Sequence, residues 1–369
     1  MNTILQAAAP DVVHRGAPSP SVGALAVSVA EARSAVLEQQ ISDDPRQFRI
    51  LTGDRPTGQL HLGHYFGTLA NRVRLQRAGV DVLVLVADYQ VIADRDDLGD
   101  LPGTVTELLL DQLAAGLDPE RTTFFRHSAV PALNQLMLPF LSLVSVAELQ
   151  RNPTVKAEAE AAGSRPMSGL LLTYPVHQAA DILSVGGNLV PVGRDQLPHL
   201  ELTRTIARRF NQRYGPLFPE PEALLSQAPL LLGTDGAKMS KSRGNTIALR
   251  DDEDRTAAQI RRSTTDAERT ITYEPDRRPE VASLVLLGAL CRDESPERFA
   301  DGVGDRGAAA LKAEVTEAVN ERLRPLRRRR AELAADPGAV LAALARGNTR
   351  ANDLADATLD RVRAAMRMC

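Results

Sequence analysis

The sequence predicts an α/β domain built on parallel strands, followed by an α-helical domain. Three observations carry that prediction. Residues 48–87 read strand, loop, helix, strand, which is a βαβ unit of the usual size. A second strand-like run, "NLVPVG", lies between two helical stretches. From about Asp252 onward the chain is helical and charged, with no further strand pattern.

The elements follow in order. Residues 1–46 are turn-rich at "APSPSVG", and "ALAVSVAEARSAVLEQQ" offers at most one loose helix, so this extension is expected to be flexible. "FRILTG" is a short strand ending at Gly53, and "DRPTGQLHLG" is a turn-rich loop. From His64 to Ala78, Phe66, Leu69, Ala70 and Val73 keep helical spacing, and Gly79 is a natural stop. "VDVLVLVAD" is continuously apolar and β-branched, as suits a parallel strand covered on both faces. A helix ending at Gly116 and a strand "TTFFRHSAV" follow. "ALNQLMLPFLSLVSVAELQR" is apolar nearly all round and is interrupted by Pro139, the pattern of a buried or intersubunit segment. The stretch from Gly169 to Phe210 reads helix, strand, helix.

Composition narrows the function. The 369 residues suffice for two domains, and the net charge of −3 leaves any nucleic-acid surface to a local patch. Two cysteines cannot build a disulfide framework, which fits a reducing cytoplasm. The longest apolar run, Val82 to Ala87, is far too short to span a bilayer, and no secretory signal opens the chain. Of 44 basic residues only Lys156, Lys238, Lys241 and Lys312 are lysine, and two of these share one pentapeptide. Lysine is a compact charge with rotatable donors that arginine does not copy at every site.

Two motifs stand out. "HLGH" places His61 and His64 around Gly63 at the turn into a helix. A zinc site would need a third ligand at suitable spacing, and none follows, so no metal is assigned. In an open parallel sheet, ligands bind beyond the carboxyl ends of the strands. A helix N-terminus delivered there favours phosphate, and two imidazoles would add donors. The second motif, "KMSKS" (Lys238 to Ser242), sets two lysines and two serines in a glycine-flanked polar loop that can close over a polyphosphate.

Together these motifs resemble the paired signature of class I aminoacyl-tRNA synthetases. "TYPVHQAADILSVGGNLVPVGRDQLPHLELTRTIARRFN" is similar to the corresponding stretch of the tryptophanyl branch, and the resemblance runs from about Phe48 to the C-terminus. It implies a Rossmann-like catalytic domain over 47–235, with dimer-forming helices at about 130–165. A KMSKS loop over 236–250 and an α-helical anticodon-binding domain over 251–369 would follow. The implied reaction activates L-tryptophan with ATP and Mg²⁺ to the adenylate, releasing pyrophosphate, and then charges tRNA(Trp). The implied enzyme is a cytoplasmic homodimer without a membrane anchor.

The resemblance also implies roles. His61 and His64 stabilise charge growing on the phosphates, Lys238 and Lys241 hold the leaving pyrophosphate, and Lys156 falls where related enzymes carry a phosphate-contacting lysine. Arg55, Pro56, Thr57 and Gly63 lie against the nucleotide, with Gly193, Arg194, Asp195 and Gln196 near the ribose. Leu230, Met239, Ser240 and Ser242 complete the ATP set. Tryptophan is assigned to Leu51, Gly53, Asp88, Gln90, Tyr174, Gln178 and Asp181, the Asp181 carboxylate accepting the indole N–H. Tyr174, Gln178 and Asp181 are spaced i, i+4, i+7, which sets them on one helix face. His177 reads as structural.

The chain departs from the usual pattern at Arg55, His64, Gln90 and Gln178, which marks a divergent branch. The Tyr-x-x-x-Gln-x-x-Asp helix also occurs in tyrosyl-tRNA synthetases, the rival reading; a synthetase-like tRNA-binding protein without catalysis is a third. Arg322, Arg324 and Arg327 to Arg330 form a basic run that either contacts tRNA phosphate or pairs with nearby Glu.

Overall fold

Five parallel strands form one sheet in the order β3-β2-β1-β4-β5, so the strand order reverses between β1 and β4. The computed structural model describes residues 22–93, 97–161, 166–225, 231–240 and 243–368. In chain order, α1 (Val22–Asp43) precedes β1 (Arg49–Asp54). Then α2 (Leu62–His64), a π-helical turn (Tyr65–Leu69) and α3 (Ala70–Ala78) form one continuous helix leading to β2 (Asp81–Val86). Gly79 ends that helix at φ 100°, the left-handed conformation that its sequence position predicted.

Next come α4 (Leu101–Ala114) and β3 (Thr122–Arg126). The apolar segment splits into α5 (Pro131–Leu141) and α6 (Val146–Arg151), and α7 (Pro153–Ala161) follows. The break falls at Ser145, whose hydroxyl and Glu148 form a capping box, and not at Pro139, which lies inside α5. α8 (Gly169–Ser184), β4 (Leu189–Val192), α9 (Leu197–Tyr214) and β5 (Glu222–Leu225) complete the sheet domain. The remainder is helical: α10 (Glu253–Arg262), α11 (Pro279–Arg292), α12 (Pro296–Val303), α13 (Gly307–Ala334) and α14 (Pro337–Ala365).

The two-residue period of β2 sorts its side chains between two cores. Val82, Val84 and Val86 join Ile50, Phe124 and Leu224 on one face, while Leu83 and Leu85 join Leu51, Phe125 and Val192 on the other. Both faces are covered, which is why this strand reads as an unbroken apolar run.

Helices also cover both edges of the sheet. On the β5 side, Ser34 of α1 accepts the Leu225 N–H at 2.9 Å, and Leu37 and Ile41 are buried. The expectation of a flexible extension over 1–46 is therefore corrected for 22–43. That helix closes an edge strand which the sequence reading missed, so the pattern that justifies it lies almost two hundred residues away. On the β3 side, Asn348 of α14 accepts the Arg126 N–H at 3.1 Å. Gly347 permits the approach, because a Cβ there would stand 1.9 Å from the Phe124 carbonyl oxygen. Edges closed in this way cannot pair with another chain.

No helix among the described residues is long and apolar enough to cross a membrane.

Candidate active site

A cavity of about 370 Å³ opens at the carboxyl ends of β1 and β4, where the strand order reverses. It brings together Leu51, Gly53, Arg55, Gln90, Tyr174, Gln178, Asp181, Gly193 and Gln196 of the residues expected from sequence. Gly53 keeps β1 close to β2, since a Cβ there would lie 3.0 Å from the Leu85 carbonyl oxygen.

The two motifs meet at the start of the helix that gives the cavity Thr68, but none of His61, Gly63, His64, Lys238, Met239 and Ser240 lines the cavity itself. His61 caps the helix, and its backbone N–H donates to His64 Nδ1 at 3.2 Å, with the ring centroids 3.8 Å apart. Accepting at Nδ1 makes Nε2 the protonated nitrogen of a neutral His64, and so a donor. The helix N-terminus adds its own positive field. The chain after KMSKS pairs directly with this segment: Leu62 N–H donates to Ile247 O at 3.0 Å, and Leu249 N–H to Leu60 O at 2.9 Å. Buried Met239 reaches Gly63, its sulfur 3.5 Å from where a Cβ would stand. The two motifs, far apart in sequence, therefore meet.

Asn245 shapes the KMSKS loop, and sequence reading overlooked it. Buried, it accepts the Ser240 N–H at 2.8 Å and donates to the Lys238 carbonyl at 3.1 Å and to Asp235 at 2.6 Å. Its side chain occupies the space beside Gly233. Lys238 is exposed. Leu230, Lys241 and Ser242 lie outside the described residues, as does the Asp195 side chain.

The cavity wall formed by α8 is polar. Tyr174, Gln178 and Asp181 line the cavity from one face of α8, as their spacing predicted. The Tyr174 hydroxyl lies 3.0 Å from His199 Nε2; burial, and then the charge of Glu158, push its ionisation well above the ordinary tyrosine range. Asp181 is buried, and its Oδ1 sits 2.9 Å from Nε2 of fully buried His127. His177 accepts from Gln90 through Nδ1 and donates to Asn134 through Nε2, both at 3.0 Å. Burial lowers its pKa, so it is neutral and in the Nε2–H tautomer.

Gln90 thus reaches the cavity from its bond to His177. His127, His177 and Asp181 form a group close enough to hold a metal ion. Both nitrogens of His177 and Nε2 of His127 are already committed, however, so the group is built as a hydrogen-bond network.

Several expected contacts are placed elsewhere. The Asp88 carboxylate accepts from the Ser128 N–H at 3.1 Å and from its hydroxyl, and it does not line the cavity. Arg194 pairs with Glu31 of α1 at 2.5 Å. Pro56 and Thr57 lie in the loop beside the cavity without lining it. Lys156 is exposed on α7, whereas Thr154 and Glu158 of the same helix line the cavity. Their i, i+4 spacing sets them on one face of the helix.

The basic run of α13 is largely paired within the chain. Arg322 meets Asp293 at 2.9 Å and Arg324 meets Glu321 at 2.7 Å. Arg327 donates to Thr256 at 2.7 Å and Arg330 to Asp111 at 2.7 Å. Arg328 and Arg329 are exposed.

A parallel sheet with a cleft at its switch point, a histidine-capped helix and a lysine loop folded onto it form the architecture of a nucleotide-binding α/β enzyme. A sequence model of the family described as tRNA synthetases class I (W and Y) matches residues 43–324, and the chain belongs to that family. Within it the chain falls among the tryptophan–tRNA ligases. It is 42% identical over 325 residues to that of Treponema pallidum, covering 86% of this chain and 96% of the relative. It is 40% identical to that of Streptococcus agalactiae over 333 residues, covering 86% and 97%. The tryptophanyl-tRNA synthetase of Campylobacter jejuni, solved with ADP and tryptophan, superposes with a TM-score of 0.76 at 29% identity, covering 86% and 99%.

Proposed function

We infer that this chain activates L-tryptophan with ATP, forming tryptophanyl-adenylate and pyrophosphate, and passes the tryptophanyl group to tRNA(Trp). The observations that support this reading are the direct contact of the HLGH and KMSKS segments and a separate switch-point cavity that presents Asp181. Relatives at about 40% identity that share the reaction support it.

The tryptophan carboxylate attacks the α-phosphorus, and the bond to the pyrophosphate oxygen breaks. Little proton transfer is needed, so alignment and charge stabilisation dominate. His61, His64 and the helix N-terminus stabilise the growing charge, each well-placed donor contributing about 2.7–4 kcal/mol. Lys238 and Lys241 hold the departing pyrophosphate. Gly193 and Gln196 take the ribose end, and Asp181 accepts the indole N–H. Mg²⁺ enters as the counter-ion of the ATP phosphates, as is usual for this small, strongly hydrated ion.

The helical region from 251 is assigned to the tRNA anticodon arm, with exposed Arg329 and Arg328, the latter loosely paired with Glu332 at 3.9 Å, as its outward charges. A homodimer through α5 and α6 would cover Leu138 and Val146, which are exposed by 75% and 59%. The reaction belongs to the cytoplasm, where tRNA is charged.

Pyrophosphate exchange measured with each amino acid in turn tests the reading. Exchange dependent on tryptophan supports it. Dependence on tyrosine, or no exchange, replaces it with the tyrosyl or the non-catalytic alternative.

A further inference from the structure

We propose that His127 is a positioning residue for the indole contact, holding the Asp181 carboxylate turned so that one oxygen faces the cavity. The proposal rests on the tryptophan reading above and adds a residue that neither motif contains.

His127 lies in the turn directly after β3 and is fully buried. Its Nε2 is 2.9 Å from Asp181 Oδ1, while its Nδ1 has no hydrogen-bond partner. The ring therefore makes one polar contact. A carboxylate oxygen accepts, so Nε2 carries the proton and His127 is the donor whether its ring is neutral or charged. Asp181 Oδ2 receives no hydrogen bond among the described residues, and the residue lines the cavity.

The ring is held from the side. His177 packs on it at 4.6 Å between centroids, and Tyr89 lies parallel within 14° at 6.2 Å. His177 is itself pinned by Gln90 and Asn134. These contacts leave the imidazole no freedom to follow a rotating carboxylate, so the carboxylate must conform to the ring.

Removing the donor has a predictable chemical result. Without the His127 N–H nothing fixes the torsion of the carboxylate, and the oxygen that faces the cavity loses its alignment with the indole N–H. The loss would therefore fall on recognition of that N–H and spare the phosphate chemistry.

The test compares tryptophan with 3-benzothienylalanine, which carries sulfur in place of the indole N–H, in pyrophosphate exchange by the full-length wild type, His127→Leu and His127→Gln. The leucine variant should raise KM for tryptophan about 10-fold or more, the value of a hydrogen bond to a charged group. Its kcat should stay within about 2-fold, and KM for the sulfur analogue should barely move. Glutamine, which keeps an N–H donor, should recover most of the preference. An unchanged tryptophan-to-analogue ratio in His127→Leu, or an equal loss for both substrates, overturns the role of His127. Failure of the wild type to use tryptophan overturns the functional reading itself, and this role with it.

Discussion

Arg330 of α13 and Asp111 of α4 are joined by a 2.7 Å hydrogen bond from Nε–H to Oδ1, across 219 positions of sequence. Asp111 is completely buried, and its other oxygen accepts from Arg250 at 2.9 Å and, more distantly, from the Leu60 N–H at 3.4 Å. Glu107 bonds both arginines. One carboxylate thus ties the helical region, the turn that follows the KMSKS loop and the approach to HLGH. Breaking a buried pair by removing one partner costs about 3–5 kcal/mol. Asp111→Asn should lower the stability measured by urea titration by roughly that amount, and a shift under about 1 kcal/mol would contradict the role given to this carboxylate.

Two buried histidines respond to pH in opposite senses. For His177, burial depresses the folded pKa, so the unfolded chain takes up more protons as pH falls below about 6.5, and stability is lost on acidification. For His127, burial works against charging, but the charge and hydrogen bond of Asp181, with the charge of Asp88, raise the pKa overall. Its contribution is present below about pH 6.5 and fades as pH rises through the raised value. Thermal unfolding of the wild type and His177→Gln between pH 8 and pH 5 separates the two. The variant should lose less stability than the wild type as pH falls, and parallel curves would show that His177 does not titrate in this way.

Much of the site is legible locally and much is not. HLGH, KMSKS and the Tyr174–Gln178–Asp181 face are short-range patterns in which spacing alone sets the geometry. β2 is equally plain, because burial on both faces leaves an unbroken apolar run. What sequence reading missed depends on partners distant in the chain. β5 is four residues long and is completed by Ser34, 191 positions earlier. Arg330 reads as either a tRNA contact or a partner of nearby Glu, and only the fold shows Asp111 beneath it. His127 carries no motif, and only the fold brings it to Asp181.

The edge contacts give two further tests. Gly347→Ala would drive a methyl group into the Phe124 carbonyl, so α14 must shift off β3. The expected cost is at least about 3 kcal/mol, the upper part of the range for overpacking. A melting temperature equal to the wild type would show that α14 does not lie so close to the sheet.

Ser34→Ala removes the acceptor for the Leu225 N–H and leaves a buried donor unmade. The expected loss is about 1–3 kcal/mol. Hydrogen exchange at the Leu225 amide should accelerate while exchange in β2 changes only with global stability. Equal acceleration throughout the sheet would mean that Ser34 does not specifically cap this edge.

Tryptophan-dependent pyrophosphate exchange by Asp181→Ala bears most directly on the central claim, that the carboxylate in the switch-point cavity selects the indole. Losing a hydrogen bond to a charged acceptor should reduce kcat/KM for tryptophan by about 10–150-fold, with KM for ATP nearly unchanged. A kcat/KM for tryptophan equal to that of the wild type would contradict the assignment.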